Sequence, residues 1–151
     1  MKLKRVARIV REELKLEKQD IRLFSNSELP EKELASRLGV GFIGKNSLLI
    51  TESVGSRCVL AGMVIATKQS LATALPGPDR VAVGCGSCTA CIKNCPVQAI
   101  TSPGYVDRTL CLQSLASQAV ELERHTMEVW GRMIYGCESC QEVCPYNRPE
   151  E

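Results

Sequence analysis

Residues 85–96 read CGSCTACIKNCP, and residues 137–145 read CESCQEVCP. The first run spaces its cysteines as C-x2-C-x2-C-x3-C-P, the arrangement by which bacterial ferredoxins hold iron–sulfur clusters. In that arrangement the fourth cysteine binds the other of two clusters, and the second run ends in the same x3-C-P spacing. The two runs therefore predict two [4Fe–4S] clusters with exchanged ligands, in a protein that transfers electrons one at a time.

The predicted ligands form two sets of four cysteines. The first set takes three cysteines from the first run and one from the end of the second: Cys85, Cys88, Cys91 and Cys144. The second set takes the last cysteine of the first run and two from the second run: Cys95, Cys137 and Cys140. Spacing leaves its fourth place open, and the isolated upstream Cys111 is the natural candidate for it. The ninth cysteine, Cys58, lies in an apolar stretch and is predicted to be a small buried residue.

Two other uses of cysteine fit the sequence less well. A disulfide framework is typical of short secreted chains, whereas the basic residues 1–5 are not followed by the apolar run of a signal peptide. Zinc sites often combine separated cysteine pairs with histidines, but His125 is the single histidine and lies among helix-forming residues. We therefore expect a cytoplasmic iron–sulfur protein in which His125 is a surface residue.

The composition limits the classes of partner. Of the 151 residues, 44% are hydrophobic and 24% are charged, as in ordinary globular domains. Aromatic residues make up 4%, so no platform for stacking nucleic-acid bases is visible. The formal charge is +2, and two oxidised clusters with their thiolates would bring it to about −2, which argues against nonspecific nucleic-acid binding through net charge. No segment is apolar over the length of a membrane span.

The region before the clusters combines helical and strand-like patterns. Apolar residues at helical spacing predict a basic helix over residues 1–20, whose basic face is interpreted as solvated, with docking to a partner or nucleic acid as the alternative. A second helix is predicted over residues 27–38. Two strands are predicted at residues 47–51 and 56–67, joined by a hairpin turn at residues 52–55.

A break rich in proline and glycine at residues 75–79 marks the predicted boundary between two domains, residues 1–79 and residues 80–151. The second domain carries the cysteine runs. It is predicted to contain three helical segments: residues 89–94, residues 108–118 capped by Asp107, and residues 121–130.

The segment GVGFIGKN at residues 39–46 satisfies GxGxxG and nearly satisfies the phosphate-binding pattern GxxxxGK[ST]. Both motifs need a strand before the loop and a helix after it, and here the predicted order is the reverse. Asn46 also stands where a serine or threonine would bind magnesium. We therefore expect no nucleotide site, but a loop with exposed backbone amides and one lysine, Lys45, that is able to approach a cofactor.

Three segments resemble the epoxyqueuosine reductase family: GFIGKNSLLI at residues 41–50, CGSCTAC at residues 85–91, and IYGCESCQEVCPYNR at residues 134–148. The resemblance covers roughly residues 22–148 and is strongest around the cysteines. Residues 107–111 resemble the family segment with the isolated ligand, which supports Cys111. The fold class that this implies is α+β, with a two-cluster ferredoxin-like domain after a shortened α/β segment of the nitroreductase and reductive dehalogenase type.

Members of this family use cobalamin and two [4Fe–4S] clusters to reduce epoxyqueuosine to queuosine in tRNA. The resemblance implies that Lys45 lies near the cobalamin and that the second cluster is the one closer to the cobalt. This chain departs from the family, because only about 84 residues precede the clusters and helical repeats are absent. In addition, Ser25 or Asn26 stands where the proton-donating aspartate is expected, so no catalytic residue is assigned.

Two functions remain open at this point. One is an electron-transfer protein that takes electrons from a donor protein or reductant and passes them through two clusters. The other is a competent cobalamin-dependent reductase that acts on tRNA. Corrinoid binding discriminates between them, and a purely structural iron–sulfur module is a third possibility. No membrane partner is expected.

Overall fold

The computed structural model describes residues 2–67, 83–118 and 121–147. Its helices are α1 Lys2–Glu13, α2 Glu31–Arg37, α3 Ala90–Lys93, α4 Leu112–Ala116, α5 Arg124–Trp130 and α6 Ser139–Glu142. Its strands are β1 Ile21–Phe24, β2 Phe42–Ile43, β3 Leu49–Ile50, β4 Gly62–Ile65, β5 Ile100–Ser102 and β6 Tyr105–Val106. Short 3-10 turns occur at Lys18–Asp20, Val83–Cys85 and Pro145–Asn147. The mixture of helices and strands agrees with the predicted class, whereas the break at residues 75–79 lies outside the described residues.

The strands of the described residues form three antiparallel pairs, β1 with β4, β2 with β3, and β5 with β6. The predicted pairing of residues 47–51 with residues 56–67 is wrong, because each of the two strands pairs with a different strand. The turn itself forms, since Thr51 and Gly55 exchange backbone hydrogen bonds of 3.0 and 3.1 Å. However, β3 pairs back onto β2, and the second predicted strand shortens to β4 and pairs with β1.

A contact between an aromatic ring and a glycine explains the pairing of β1 with β4. Phe24 lies opposite Gly62 in the register. A Cβ atom placed on Gly62 would meet the ring of Phe24, so a glycine is needed for the ring to lie against the partner strand. Neither β1 nor β2 was predicted from the sequence, because both are short and their partners are found only in the folded chain.

The first helix is shorter than predicted, since α1 ends at Glu13 rather than near residue 20. Lys15 adopts a left-handed backbone conformation with φ 51°, which does not continue a right-handed helix. The following 3-10 turn is stabilised by the backbone N–H of Glu17, which donates to Asp20 Oδ2 at 2.8 Å. The chain then leaves this turn directly into β1.

The other predicted helices are confirmed as α2, α3 and α5, with shorter bounds in the structure. The helix predicted at residues 108–118 begins later than expected, at Leu112. Asp107 caps a local turn instead, because its Oδ1 accepts from the backbone N–H of Thr109 at 2.8 Å and from the Thr109 hydroxyl at 2.6 Å. As a result, Cys111 immediately precedes α4.

The buried apolar core is small and lies next to the cysteines. Its members among the described residues are Leu49, Ile50, Ala99, Ile100, Leu112 and Cys144. They come from β3, the approach to β5, the start of α4 and the last cysteine run, so segments far apart in sequence meet at one place. A core of this size stabilises a chain only modestly, and a bound metal group adds its binding free energy to that of folding.

Candidate metal centre

The first predicted set of cysteines is brought together around α3. The run turns back on itself where the N–H of Cys88 donates to the Cys85 carbonyl at 2.9 Å, and α3 then carries Cys91. Burial raises the pKa of the Cys91 thiol, and three nearby thiols raise it further, those of Cys85, Cys88 and Cys144. The last cysteine of the chain therefore lies beside the first three in space, although it belongs to the other run.

The second predicted set lies around a cleft of about 600 Å³. All four of its cysteines line this cleft: Cys95, Cys111, Cys137 and Cys140. Burial raises the pKa of Cys140 to about 12, and the other three thiols of the set contribute, together with Cys91 of the first set. The helix α3 packs against α6, and Asn94 Nδ2 at the end of α3 donates to the Ser139 carbonyl in α6 at 2.9 Å. This contact places the two sets next to each other.

The donor chemistry of these sets fits iron–sulfur clusters. Thiols that are buried together resist ionisation, and a positively charged cluster core offsets that cost by binding the thiolates. Cys95 Sγ already accepts a backbone hydrogen bond from Ala99 at 3.2 Å, and such bonds adjust the reduction potential of a cluster. In the described part of the chain, no three acidic, histidine or cysteine side chains converge to hold a single metal ion. A cubane differs, because each thiolate binds a separate iron.

Cys58 is not part of either set. It is exposed rather than buried, so the prediction of a buried apolar cysteine is wrong. The reason is that the connection before β4 has no partner strand at this point, and the neighbouring Val59 is 90% exposed. Cys58 also does not line the cleft.

Lys45 links the glycine-rich segment to the first cysteine run. Its ammonium group donates to the carbonyl of Gly86 at 2.7 Å and to that of Cys88 at 2.9 Å. Its own carbonyl accepts from the N–H of Gly104, in the turn between β5 and β6, at 3.0 Å. Sequence reasoning missed these bonds, and the placement of Lys45 near cobalamin stays a prediction.

The glycines of the GxGxxG pattern serve packing within a hairpin. A Cβ atom on Gly41 would meet the backbone of Ile50, and one on Gly44 would meet the side chains of Ile50 and Asn46. Close approach of β2 to β3 therefore accounts for both glycines without a phosphate. The absence of a nucleotide site stays a prediction.

The end of the second cysteine run is tied to the N-terminal half by side chains that were not singled out from the sequence. Asn147 Oδ1 accepts from the N–H of Ser56 at 2.7 Å, and Asn147 Nδ2 donates to Ser56 Oγ at 2.9 Å. The Tyr146 hydroxyl donates to the Gly84 carbonyl at 2.7 Å, and its ring packs edge-on against Phe42 with centroids 5.3 Å apart. Gly55 is the one residue in the sequence that could have indicated this contact, because a Cβ atom at this position would meet Asn147.

The cleft beside the second set also has a polar wall from the N-terminal half. Asn26, Lys32 and Asn46 line it, together with Arg108 from the cysteine-rich half. Asn26 has a left-handed φ of 51°, which asparagine tolerates better than most residues. The Lys32 ammonium donates to the Ser47 carbonyl at 2.7 Å. No aspartate or glutamate is among the residues that line the cleft.

None of the helices in the described ranges has the length and apolar character needed to cross a membrane.

Comparison with known proteins gives consistent results. A protein-family profile described as a 4Fe-4S double cluster binding domain matches residues 84–147. The epoxyqueuosine reductase of Listeria monocytogenes is 37% identical over 132 residues, which are 85% of this chain and 33% of that protein. That of Aliivibrio fischeri is 34% identical over 151 residues, which are 99% of this chain and 38% of that protein.

Solved structures of epoxyqueuosine reductases are also similar to this chain. The structure of epoxyqueuosine reductase from Streptococcus thermophilus matches 99% of this chain and 39% of its own, with a TM-score of 0.76 and 28% identity. An epoxyqueuosine reductase bound to an epoxyqueuosine-modified tRNA-Tyr stem loop matches 96% of this chain and 38% of its own, with a TM-score of 0.70 and 30% identity. By sequence and by fold, this chain, which carries a 4Fe-4S binding region, is a member of the epoxyqueuosine reductase family that spans between a third and two fifths of the length of these relatives.

Proposed function

We propose that this chain is an iron–sulfur electron-transfer protein that holds two [4Fe–4S] clusters. The observation that carries the proposal is the spatial division of eight cysteines into two adjacent sets, with α3, which carries Cys91, packed against α6, which carries Cys140. The clusters would supply one-electron transfer. The chain itself contributes the ligands, the backbone hydrogen bond to Cys95, and a buried position for Cys144.

The proposed ligand sets are those of the sequence prediction. Cys85, Cys88, Cys91 and Cys144 would hold the first cluster, and Cys95, Cys111, Cys137 and Cys140 would hold the second. The grouping of thiols in space supports this division. Cluster chemistry of this kind favours a reducing compartment such as the cytoplasm, and a donor protein or small reductant would supply the electrons.

Iron and sulfide analysis tests the proposal. The protein, purified and reconstituted without oxygen, is expected to contain about eight irons and eight sulfides per chain, because each cubane holds about four of each. A value near four would show that one set holds no cluster. A value near one, with no sulfide, would replace both clusters with a simple metal site.

A second candidate function is reduction of epoxyqueuosine in tRNA with cobalamin. The cleft beside the second set favours it. A cluster held by Cys95, Cys111, Cys137 and Cys140 would deliver its electron to a group bound in that cleft. The relatives named above are epoxyqueuosine reductases, and one was solved with a tRNA stem loop. In this proposal residues 1–79 represent part of a cobalamin-binding α/β domain of the nitroreductase type, residues 80–151 form the ferredoxin-like domain, and Lys45 lies towards the cobalamin.

Corrinoid binding separates the two candidates. A shifted cobalamin spectrum with the reconstituted protein, followed by queuosine formation in epoxyqueuosine-containing tRNA, would establish the enzyme. We expect little turnover, because Asn26 cannot replace a carboxylic acid as proton donor and loss of one general acid typically costs about 10²- to 10⁴-fold in rate. Turnover at an ordinary enzymatic rate would refute the carrier-only function. Weak activity that rises in Asn26→Asp would identify Asn26 as the residue that limits it.

A further inference from the structure

The two cysteine runs begin with the same pattern, a cysteine, a variable residue, a serine and a second cysteine: CGSC at residues 85–88 and CESC at residues 137–140. The two serines differ in the folded chain. Ser139 is half-buried, and its Oγ lies 3.4 Å from Cys137 Sγ. Ser87 is exposed, and within the described ranges its hydroxyl has no such contact with a sulfur atom. The same local sequence therefore places a hydroxyl beside a ligand sulfur in the second run alone.

The variable residue of the pattern accounts for this difference. Gly86 has a left-handed φ of 46°, which glycine adopts readily, and its carbonyl is held by the Lys45 ammonium at 2.7 Å. Glu138 occupies the corresponding place in the second run with φ −113° and ψ 6°, a conformation open to residues with a side chain. The backbone after the first cysteine therefore differs between the two runs, and with it the direction of the following serine.

The contact between Ser139 and Cys137 is held in place by side chains from other segments. The backbone N–H of Cys137 donates to Gln113 Oε1 at 3.3 Å, and Gly136 allows this close approach because a Cβ atom there would meet Gln113. On the other side, Asn94 Nδ2 donates to the Ser139 carbonyl at 2.9 Å. The segment that carries both the hydroxyl and the sulfur is thus fixed at each end.

The direction of this hydrogen bond depends on the state of the cysteine. A free thiol at Cys137 can donate its proton to the hydroxyl oxygen. A thiol that binds iron loses this proton, and the resulting thiolate can only accept. Because the hydroxyl proton rotates to suit its partner, the same pair then persists with Ser139 as the donor. We propose that Ser139 sets the reduction potential of the second cluster by donating this hydrogen bond to Cys137 Sγ.

The inference rests on the proposed function, since it needs a cluster held by the second cysteine set. Reduction adds an electron and makes the ligand sulfurs more negative, so a hydrogen bond to sulfur is stronger in the reduced state and raises the potential. We expect Ser139→Ala to lower the equilibrium constant for one-electron reduction of the second cluster about fivefold. This corresponds to about 40 mV, because tenfold corresponds to about 59 mV. The first cluster should not change.

The alternative role for Ser139 is support of the helix α6, of which it is the first residue. Serine often stabilises a helix by capping its N-terminus. Here the capping position belongs to Glu138, with no side-chain hydrogen bond at the cap, and among the described residues the Ser139 hydroxyl contacts the Cys137 sulfur. A role in the helix alone predicts a changed stability with an unchanged potential.

The test uses the full chain with its clusters reconstituted without oxygen. The variants Ser139→Thr and Ser139→Val have the same shape and differ in the hydroxyl, and Ser139→Ala removes the hydroxyl with the least change in volume. Ser87→Ala is the matched control, because it removes the corresponding serine of the first run. Redox titration followed by electron paramagnetic resonance measures both clusters. Electron–nuclear double resonance in H₂O and D₂O detects exchangeable protons close to the second cluster.

We expect the constant for the second cluster to fall about fivefold in Ser139→Ala and Ser139→Val, and to stay within about 1.5-fold in Ser139→Thr and Ser87→Ala. One exchangeable proton coupled to the second cluster should disappear in the first two variants and remain in the others. Equal constants in the threonine and valine variants would overturn the inference, as would a change below about 1.5-fold in Ser139→Ala. A similar fall in Ser87→Ala would overturn it as well.

Two further outcomes concern assembly of the clusters. Loss of the second cluster in both Ser139→Ala and Ser139→Val would make the hydroxyl a requirement for assembly, and would overturn its role in setting the potential. Iron and sulfide content separates this inference from the proposed function. An unmodified protein with well under eight irons and no signal from a second cluster would overturn both, whereas full iron content with an unchanged constant would overturn the role of Ser139 alone.

Discussion

Replacement of Lys45 by methionine tests whether the glycine-rich segment controls the first cluster. Methionine keeps much of the length of the side chain but removes the charge and both hydrogen bonds to the carbonyls of Gly86 and Cys88, at 2.7 and 2.9 Å. Hydrogen bonds from a charged donor contribute about 1.5 to 3 kcal/mol each. Because the Gly86 carbonyl is exposed and can be hydrated, we expect Lys45→Met to cost about 2 kcal/mol in the free energy of unfolding.

The same change should lower the reduction potential of the first cluster, since a nearby positive charge favours the reduced, more negative state. At an effective dielectric constant of about 20, two unit charges separated by about 8 Å, roughly twice a contact distance, interact by about 2 kcal/mol. This corresponds to about 90 mV for one electron, and screening by water at the exposed side should reduce it to about half that value. The second cluster is farther from Lys45 and should shift less.

Redox titration followed by electron paramagnetic resonance measures both potentials in one sample. Lys45→Gln is the matched variant, because it loses the charge but keeps donors, so it should lower the potential by a similar amount with a smaller loss of stability. Lys18→Met, at an exposed site, is the control for net charge. Equal shifts of both clusters, or no shift in either variant, would refute the assignment of Lys45 to the first cluster.

Three further substitutions test the cysteine sets and their anchoring. Cys58→Ser should leave the iron content unchanged, because this exposed thiol belongs to neither set, and a loss of half the iron would contradict the assignment. Cys111→Ala should remove the paramagnetic signal of the second cluster and Cys144→Ala that of the first, whereas loss of the same signal in both would show that the ligands are not exchanged. Asn147→Ala removes two hydrogen bonds to Ser56 and one to the nearby Gln141 carbonyl, and it should cost about 2 to 4 kcal/mol in chemical unfolding; a change below about 0.5 kcal/mol would show that the contact is not stabilising.

The features that could be predicted from the sequence are those governed by local spacing. Each of the five predicted helical segments contains a helix in the structure, because helical preferences act over a few neighbouring residues. The grouping of seven cysteines was predicted from the spacing in the two runs, whereas Cys111 was a candidate that the family resemblance supported. The reversed order of helix and strand around residues 39–46 was the argument against a nucleotide loop, and that expectation stays a prediction.

The features that were missed depend on contacts between distant segments. The pairing of β1 with β4 rests on Phe24 lying over Gly62, which no local pattern reveals. Lys45 and Asn147 find partners more than 40 and 90 residues away, and their residue types alone do not distinguish them from surface side chains. The hairpin was misassigned for the same reason, since the turn at residues 52–55 is real but the partner strand is chosen by packing elsewhere.

These long-range contacts change how the region before the clusters is understood. The family resemblance alone would assign this region to a cofactor-binding domain. Yet Lys45 holds the loop of the first cysteine set, and Ser56 holds Asn147 just after Cys144. Removal of this region would therefore free both ends of the first set at once. The region therefore helps to hold the first cysteine set, and its presence alone is no evidence for cobalamin chemistry.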